Sequence, residues 1–547
     1  MESPGPRSTL KSCQVFSIPE LATLVARFST KQDCARLLQT CKTLYDVAVP
    51  FVWETVRGAQ HLLLLLHEAG SYRSSHGEKV LEIYLVESFW ASSNLFVRFD
   101  FYASHVKYLD IYGPKAETFK VSGWKVLVAR AQQKVLLPNL HTLTIGSTNA
   151  LIDQSMWVGT FSSPSLVNLL VTDGNLWDTP TVSYPAASFM MKSLAAHRPK
   201  LERLELFPLV IIGDHIDNGE SDLLAFLSGD PFYEYTAHFT DLRRLACTFV
   251  WLNEEPALRI LSKLPHLEAI DIRGIDYMEG EVSAGLSDDS FPSLRSLHLH
   301  QPNPLDAARA MKILQMVKGL TSLRISLDAV ELIHAGVDEG SWFIHDFFPL
   351  LLNMPHITDL WIDADPGGKF EDDVEIDESV MGIFQTLSLR SLHLGQMRLN
   401  HEALQLDLEL VWPSIVQFCM PQQAAPLAIL SLFTFLPNLR HLELELDLDE
   451  LELELEYAEI VSPLTVLQAS PGSTLGSNLQ EADQIIRALL DIFPNLIHVN
   501  WPADRGSASP DCCNPTYEHK YEQISFANGR SGALLELLAF VKQASHP

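Results

Sequence analysis

The chain has 547 residues and a mass of 61.2 kDa, and it is 47 % apolar, which supplies a large core and excludes global disorder. Its 68 acidic and 39 basic residues leave a formal charge of -29; without a cluster of Lys and Arg, this argues against nucleic acid and against an anionic membrane surface as partners. The seven cysteines are odd in number and show no CxxC spacing, which argues against a disulfide framework or a Cys-based zinc site.

The opening MESPGPRSTLKSC lacks the apolar stretch of a secretory leader. The longest Leu run, Leu62 to Leu66, is five residues, against the ~20 of a membrane span. Asn514-Pro515-Thr516 is blocked as a glycan acceptor by its proline. The expected setting is intracellular, cytoplasmic or nuclear, after a disordered lead over residues 1–14.

Residues 15–55 read as a small helical unit. Ser17-Ile18-Pro19-Glu20 has the form of a capping box, and Leu21, Leu24, Val25 and Phe28 follow at helical spacing. Thr30 and Asp33 open a second helix carrying Ala35, Leu37, Leu38 and Cys41. Leu44, Tyr45, Val47 and Ala48 form a third apolar stretch, which Pro50 is expected to end, with Phe51 and Trp53 beyond it. Three short helices make a marginal core, so the unit is expected to dock onto something.

From residue 56 onward one pattern recurs: apolar, two variable residues, apolar, one variable, apolar. A weak copy, Val80-Ile83-Leu85, precedes twelve clearer ones. These are Val106-Leu109-Ile111, Leu140-Leu143-Ile145, Leu166-Leu169-Val171, Leu201-Leu204-Leu206, Leu242-Leu245-Cys247 and Leu267-Ile270-Ile272. The remainder are Leu294-Leu297-Leu299, Leu320-Leu323-Ile325, Ile357-Leu360-Ile362, Leu389-Leu392-Leu394, Leu439-Leu442-Leu444 and Leu496-Val499-Trp501. The last two apolar residues of each copy share one face of a short strand. Intervals of 25 to 57 residues fit a leucine-rich repeat with insertions. A proline two residues ahead of several copies, as in Pro265-His266-Leu267, ends a helix and favours the extended backbone that follows. Helical faces are expected over 124–136, 256–264, 306–317, 424–436 and 481–493.

The fold class predicted is α/β: a small three-helix unit, then a curved leucine-rich repeat solenoid over 56–547, with a parallel sheet on the concave side and helices on the convex side. Acidic insertions are placed near 363–378 and 446–480. The first does not follow the EF-hand spacing and reads as a solvated loop. Leu442 to Tyr457 alternates Leu with Glu or Asp, the pattern of a strand, or of a strand and a hairpin partner turning at Asp449-Glu450.

Ile18-Pro19-Glu20-Leu21, Leu24-Val25, Asp33, Leu37, Cys41-Lys42, Leu44-Tyr45, Pro50 and Trp53 resemble the F-box motif. The match departs from the family pattern where Glu20 follows Pro19 directly, where Cys34 stands in a Leu slot, and where Thr40 stands in a Val slot. With the repeats behind it, the chain resembles the large fungal group of F-box-like leucine-rich repeat proteins. The resemblance implies a substrate receptor of a Skp–cullin–F-box type ubiquitin ligase. Its Skp-type adaptor, and through it a cullin, would meet Ile18, Pro19, Leu21, Leu24, Val25, Leu37, Leu38 and Leu44, while the repeats hold a target protein. The alternative is a non-catalytic repeat scaffold whose helical head is only a cap.

In a leucine-rich hexad the variable positions face the concave surface. The target-binding residues expected there are Arg203, Arg244, Asp271, His298, Arg324, Asp359, Trp361, His393, His441 and His498, with Tyr108, Asp110, Glu205 and Glu443 at equivalent positions. Trp361, a large apolar side chain at a solvent-facing position, is the leading hot-spot candidate. Neither GxGxxG, GxxxxGK[ST] nor GxSxG occurs, and His67-Glu68 and His401-Glu402 lack the second His of HExxH. No catalytic residue, cofactor or metal site is expected. His298 and His300, two residues apart, read as facing strand residues lacking a third ligand.

Overall fold

A computed structural model of the chain describes residues 18–66, 70–73, 81–85, 95–112, 119–146, 151–172, 181–209, 231–274, 285–300, 302–328, 339–365, 374–448, 462–470, 473–475, 479–502 and 521–525. The chain divides into two compact units, Met1–Ala246 and Cys247–Pro547.

The first unit opens with three helices, α1 (Pro19–Phe28), α2 (Lys31–Leu37) and α3 (Lys42–Trp53). Small residues let them approach closely: Ala26, Cys34 and Ala48 form the buried centre, with Leu37, Leu38, Val47, Phe51 and Val52 packed around it. The Cys34 thiol donates to the Ala26 carbonyl across 3.2 Å, which a Leu in that slot could not do. Two local expectations are corrected. The residue capping α1 is Ile18, with no side-chain cap and Pro19 in the first turn; Ser17 lies outside the described residues. Pro50 sits inside α3 rather than ending it, because burial of Val49 and packing of Phe51 and Val52 on the core carry the helix on. The start of α2 is as read: Thr30 Oγ1 accepts from the Asp33 N–H.

The chain leaves α3 directly into a parallel sheet. Its strands are β1 (Thr55–Arg57), β2 (Tyr108–Asp110), β3 (Thr142–Gly146), β4 (Asn168–Thr172), β5 (Arg203–Glu205) and β6 (Arg244–Thr248, whose last two residues fall beyond the boundary at Ala246), each paired with the next in that order. Val56, Leu109, Leu143, Leu169, Leu204 and Leu245 stand side by side across it, and all are buried. The weak copy at Val80 does not join this row. Leu81–Tyr84 belongs to a separate three-stranded sheet with Gly70–Arg73 and Phe119–Ser122.

The second unit repeats the arrangement with β7 (Ala269–Arg273), β8 (Ser296–His300), β9 (Ser322–Asp328), β10 (Asp359–Asp365), β11 (Ser391–Gly395), β12 (Gln417–Ala425), β13 (His441–Leu448), β14 (Val466–Ala469) and β15 (His498–Pro502). All neighbours are parallel. A final strand, β16 (Tyr521–Ser525), pairs antiparallel with β15. Ile270, Leu297, Leu323, Leu360, Leu392, Phe418, Leu442, Leu467 and Val499 form one buried row.

Two of these strands fall in the longest intervals of the sequence pattern. Ile415-Phe418-Met420 and Leu464-Leu467-Ala469 are full repeats. Residues 446–480 are therefore not a plain insertion. Residues 449–461 and 366–373, with the proposed turn and the centre of the other acidic segment, lie outside the described residues, as do residues 1–17.

Within each unit the described strands are entered in the same way: two successive N–H groups share one carbonyl of the previous repeat. Thr321 and Ser322 bond to Arg295, Thr358 and Asp359 to Thr321, and Arg440 and His441 to Val416. The identical hydrogen-bonding step, together with the in-register apolar row, defines a leucine-rich repeat arrangement. Connecting helices run Trp124–Gln133, Glu255–Leu261, Pro304–Met311, Leu427–Leu432 and Leu479–Ile492. The helix expected over 306–317 is broken at Lys312, and a second turn, Leu314–Val317, leaves Leu314 exposed. Ala424 and Ala425 end β12 rather than starting a helix. Among the described residues no helix is long and apolar enough to cross a membrane.

Candidate interaction surfaces

The helical head presents one apolar stripe. Ile18, Leu21, Leu24, Val25 and Phe28 on α1 are exposed at 46, 40, 47, 38 and 83 %, and Pro19 is exposed beside them. The residues of α1 that face the core are Ala22 and Ala26, so the large apolar side chains point away from it. The other residues named for the adaptor contact are placed differently. Leu37 and Leu38 pack against the three-helix centre, and Leu44 is 7 % exposed. Leu37 and Leu38 hold the head together and Leu44 is buried; the outward residues of the set are those of α1 and its cap Ile18.

The opposite side of the head is occupied. Helix α3 packs on the helix Val97–Ala103. Trp53 lies 4.5 Å from Tyr102, centroid to centroid, and the Tyr45 and Tyr102 hydroxyls are 2.7 Å apart. That bond and burial push the Tyr45 hydroxyl up to about 12. The Lys31 ammonium donates to the Thr55 carbonyl at 2.5 Å. The head is thus seated on the first repeat by aromatic and polar contacts.

The face of the second unit's sheet carries two parallel rows. One runs Asp271, His298, Arg324, Trp361, His393, Cys419, Glu443, Gln468 and Asn500, each in register with the next from β7 to β15. The other, two residues earlier on each strand, holds Asp359, His441 and His498 among smaller residues such as Ser322 and Ser391. Eight of the ten residues named from sequence therefore lie on one face. Arg203 and Arg244 belong to the first unit, adjacent on β5 and β6 and both exposed. Glu205, expected at the surface, is buried: it accepts from the Val171 N–H at 2.6 Å and pairs with Arg203 at 2.7 Å.

The centre of the long row is a stack. The Arg324 guanidinium sits 4.2 Å over the Trp361 ring, and the His393 imidazole lies 4.8 Å from that ring at 14°. Trp361 is consequently half-buried, not the free side chain its position suggests. Burial, and after it the charge of Arg324, lowers His393 to about 4, so a neutral ring faces the indole. Farther along, Cys419, His441 and Glu443 come within 4.8 Å of one another. Burial, then the charge of Glu443, pushes the Cys419 thiol up to about 12, and burial raises the Glu443 carboxyl. Cys419, Gln468 and Asn500 are on this face without having been singled out; the first two belong to the overlooked repeats, and Asn500 to the last. For the first two the signal is periodicity alone, since Phe, Met and Ala occupy Leu slots.

No protein-family model matches the chain, and no curated protein matches it. Among solved structures it is similar to mouse RP105 of the RP105/MD-1 complex, at 13 % identity over 77 % of this chain and 63 % of that one, with a TM-score of 0.40. It is similar to the Leptospira interrogans leucine-rich repeat protein LIC12759 at 11 % identity, 74 % and 86 % coverage and a TM-score of 0.29. It is also similar to yeast Rad7 of the Rad7 and Elc1 complex, at 14 % identity, 57 % and 77 % coverage and a TM-score of 0.27. The match spans less than two thirds of the RP105 chain. These likenesses concern the fold; the repeat assignment rests on the register and hydrogen bonding of the strands themselves.

Proposed function

We propose that the chain is a non-catalytic, intracellular substrate receptor of a Skp–cullin–F-box type ubiquitin ligase. The stripe of α1 would meet the Skp-type adaptor, and the polar and aromatic row of the second unit would hold the target protein. The observation that carries this reading is the exposure of Ile18, Leu21, Leu24, Val25 and Phe28 together on one helix, within the segment that resembles the F-box motif. A contiguous apolar patch on a folded surface marks an interface. Such a receptor acts by raising the local concentration of its target beside a charged ubiquitin carrier.

The test is a titration of the full chain with a purified Skp-type adaptor. Leu21→Asp with Leu24→Asp is expected to abolish binding while leaving the circular dichroism unchanged, because both side chains are exposed. Equal binding by the variant and the natural chain would remove the adaptor role from α1. A second reading, a scaffold whose head is a cap, is favoured by the seating of Tyr45 and Trp53 on Tyr102. It predicts no adaptor binding by either protein.

A further inference from the structure

One cluster on the second unit's face has a composition that target recognition does not require. Asp271 on β7 and His298 on β8 are register partners, and His300, two residues farther along β8, projects from the same side. The ligand atoms of the three lie within 4.8 Å of one another. Asp271 Oδ1 is 3.2 Å from His300 Nε2, Asp271 Oδ2 is 4.0 Å from His298 Nδ1, and the imidazole centroids are 3.5 Å apart. An ordinary hydrogen-bonded network leaves part of this unexplained. His298 Nε2 is buried without a hydrogen-bond partner, and buried polar atoms ordinarily have one.

Two imidazoles and a carboxylate are the donor set of zinc and its late first-row neighbours, not of calcium or magnesium. Bond lengths of about 2.0–2.2 Å to such an ion separate its ligand atoms by about 3–3.5 Å, close to the Asp271–His300 distance and within a small side-chain shift for His298. The three side chains remain 20 to 35 % exposed, so an ion can enter.

We propose that Asp271, His298 and His300 form a binding site for a divalent transition-metal ion of the zinc class. Three protein ligands would leave a further coordination position for a water or a partner group. Arg273, in register with His300, and Arg324, in register with His298, weaken the pull on a free cation. They also favour an anionic fourth ligand, such as a carboxylate of a bound partner. A second group of potential ligands, Cys419, His441 and Glu443, serves as the internal control.

The experiment is calorimetric titration of Zn2+ into the full chain, into Asp271→Asn/His300→Gln and into Cys419→Ser/His441→Gln, with crystals of the natural chain soaked in Zn2+ and measured at the metal's absorption edge. The expected result is an anomalous peak among the three side chains. The first variant should also lose one Zn2+ equivalent, or bind it more than about tenfold more weakly, while the second keeps it. Unchanged Zn2+ binding in Asp271→Asn/His300→Gln, or an anomalous map with no peak at the cluster, would overturn the proposal; the map is decisive even if a variant fails to fold.

Discussion

His393 shows how far a side chain's chemistry depends on neighbours that its own sequence position does not reveal. In the hexad it is a variable residue like any other. In the fold it lies flat on Trp361, close to Arg324, and its protonation is opposed by burial and by that cation. A group whose pKa falls from 6.5 to about 4 on folding binds fewer protons in the native state than in the unfolded one. Its contribution to stability is therefore complete above pH 6.5 and is lost as the pH falls toward 4. His393→Gln is expected to flatten the decline in denaturation midpoint over that interval; an identical decline in both proteins would show that His393 is not held neutral. The apolar partners are simpler. Leu297, fully buried between Ile270 and Leu323, is expected to cost about 2–5 kcal/mol on replacement by Ala, measured as a shift in the denaturant midpoint. The hexad Leu residues are legible in the sequence because burial demands them. The stack of Arg324, Trp361 and His393 is not, because it joins three separate repeats.

At the scale of elements, strand positions follow from the period-two pattern, and most connecting helices from their apolar faces. The failures have physical causes. Repeats built on Phe418 and Met420, or on Ala469, bury their rows as well as Leu does but break a Leu-based pattern. Pro50 is carried inside α3 by the packing around it, which overrides a local preference. Helical spacing on α1 finds Leu21, Leu24 and Val25 but not the direction they face; that is set by Ala22, Ala26, Cys34 and Ala48, whose small size lets the helices close on the other side. This makes a sharp contrast testable within the head. Phe28→Asp, at an exposed position, is expected to change stability by no more than about 0.5 kcal/mol. Ala48→Leu, at the fully buried centre, is expected to destabilise the head by about 1–3 kcal/mol, seen as earlier proteolysis of α1 to α3. Equal sensitivity of the two would mean that α1 does not present its apolar stripe outward.

For the whole molecule, composition and repeats point to an interaction protein, and two surfaces stand out: an apolar stripe on the head and a polar, aromatic row along the second unit. The receptor reading requires the first to recruit an adaptor while the second recruits a target. The most direct measurement is co-purification of the Skp-type adaptor and cullin with the intact chain from cells, beside Leu24→Asp/Phe28→Asp expressed at the same level. If the chain is such a receptor, both proteins come down with the natural chain and neither with the variant. Recovery of adaptor and cullin by the variant, or by neither chain with both folded, would contradict it.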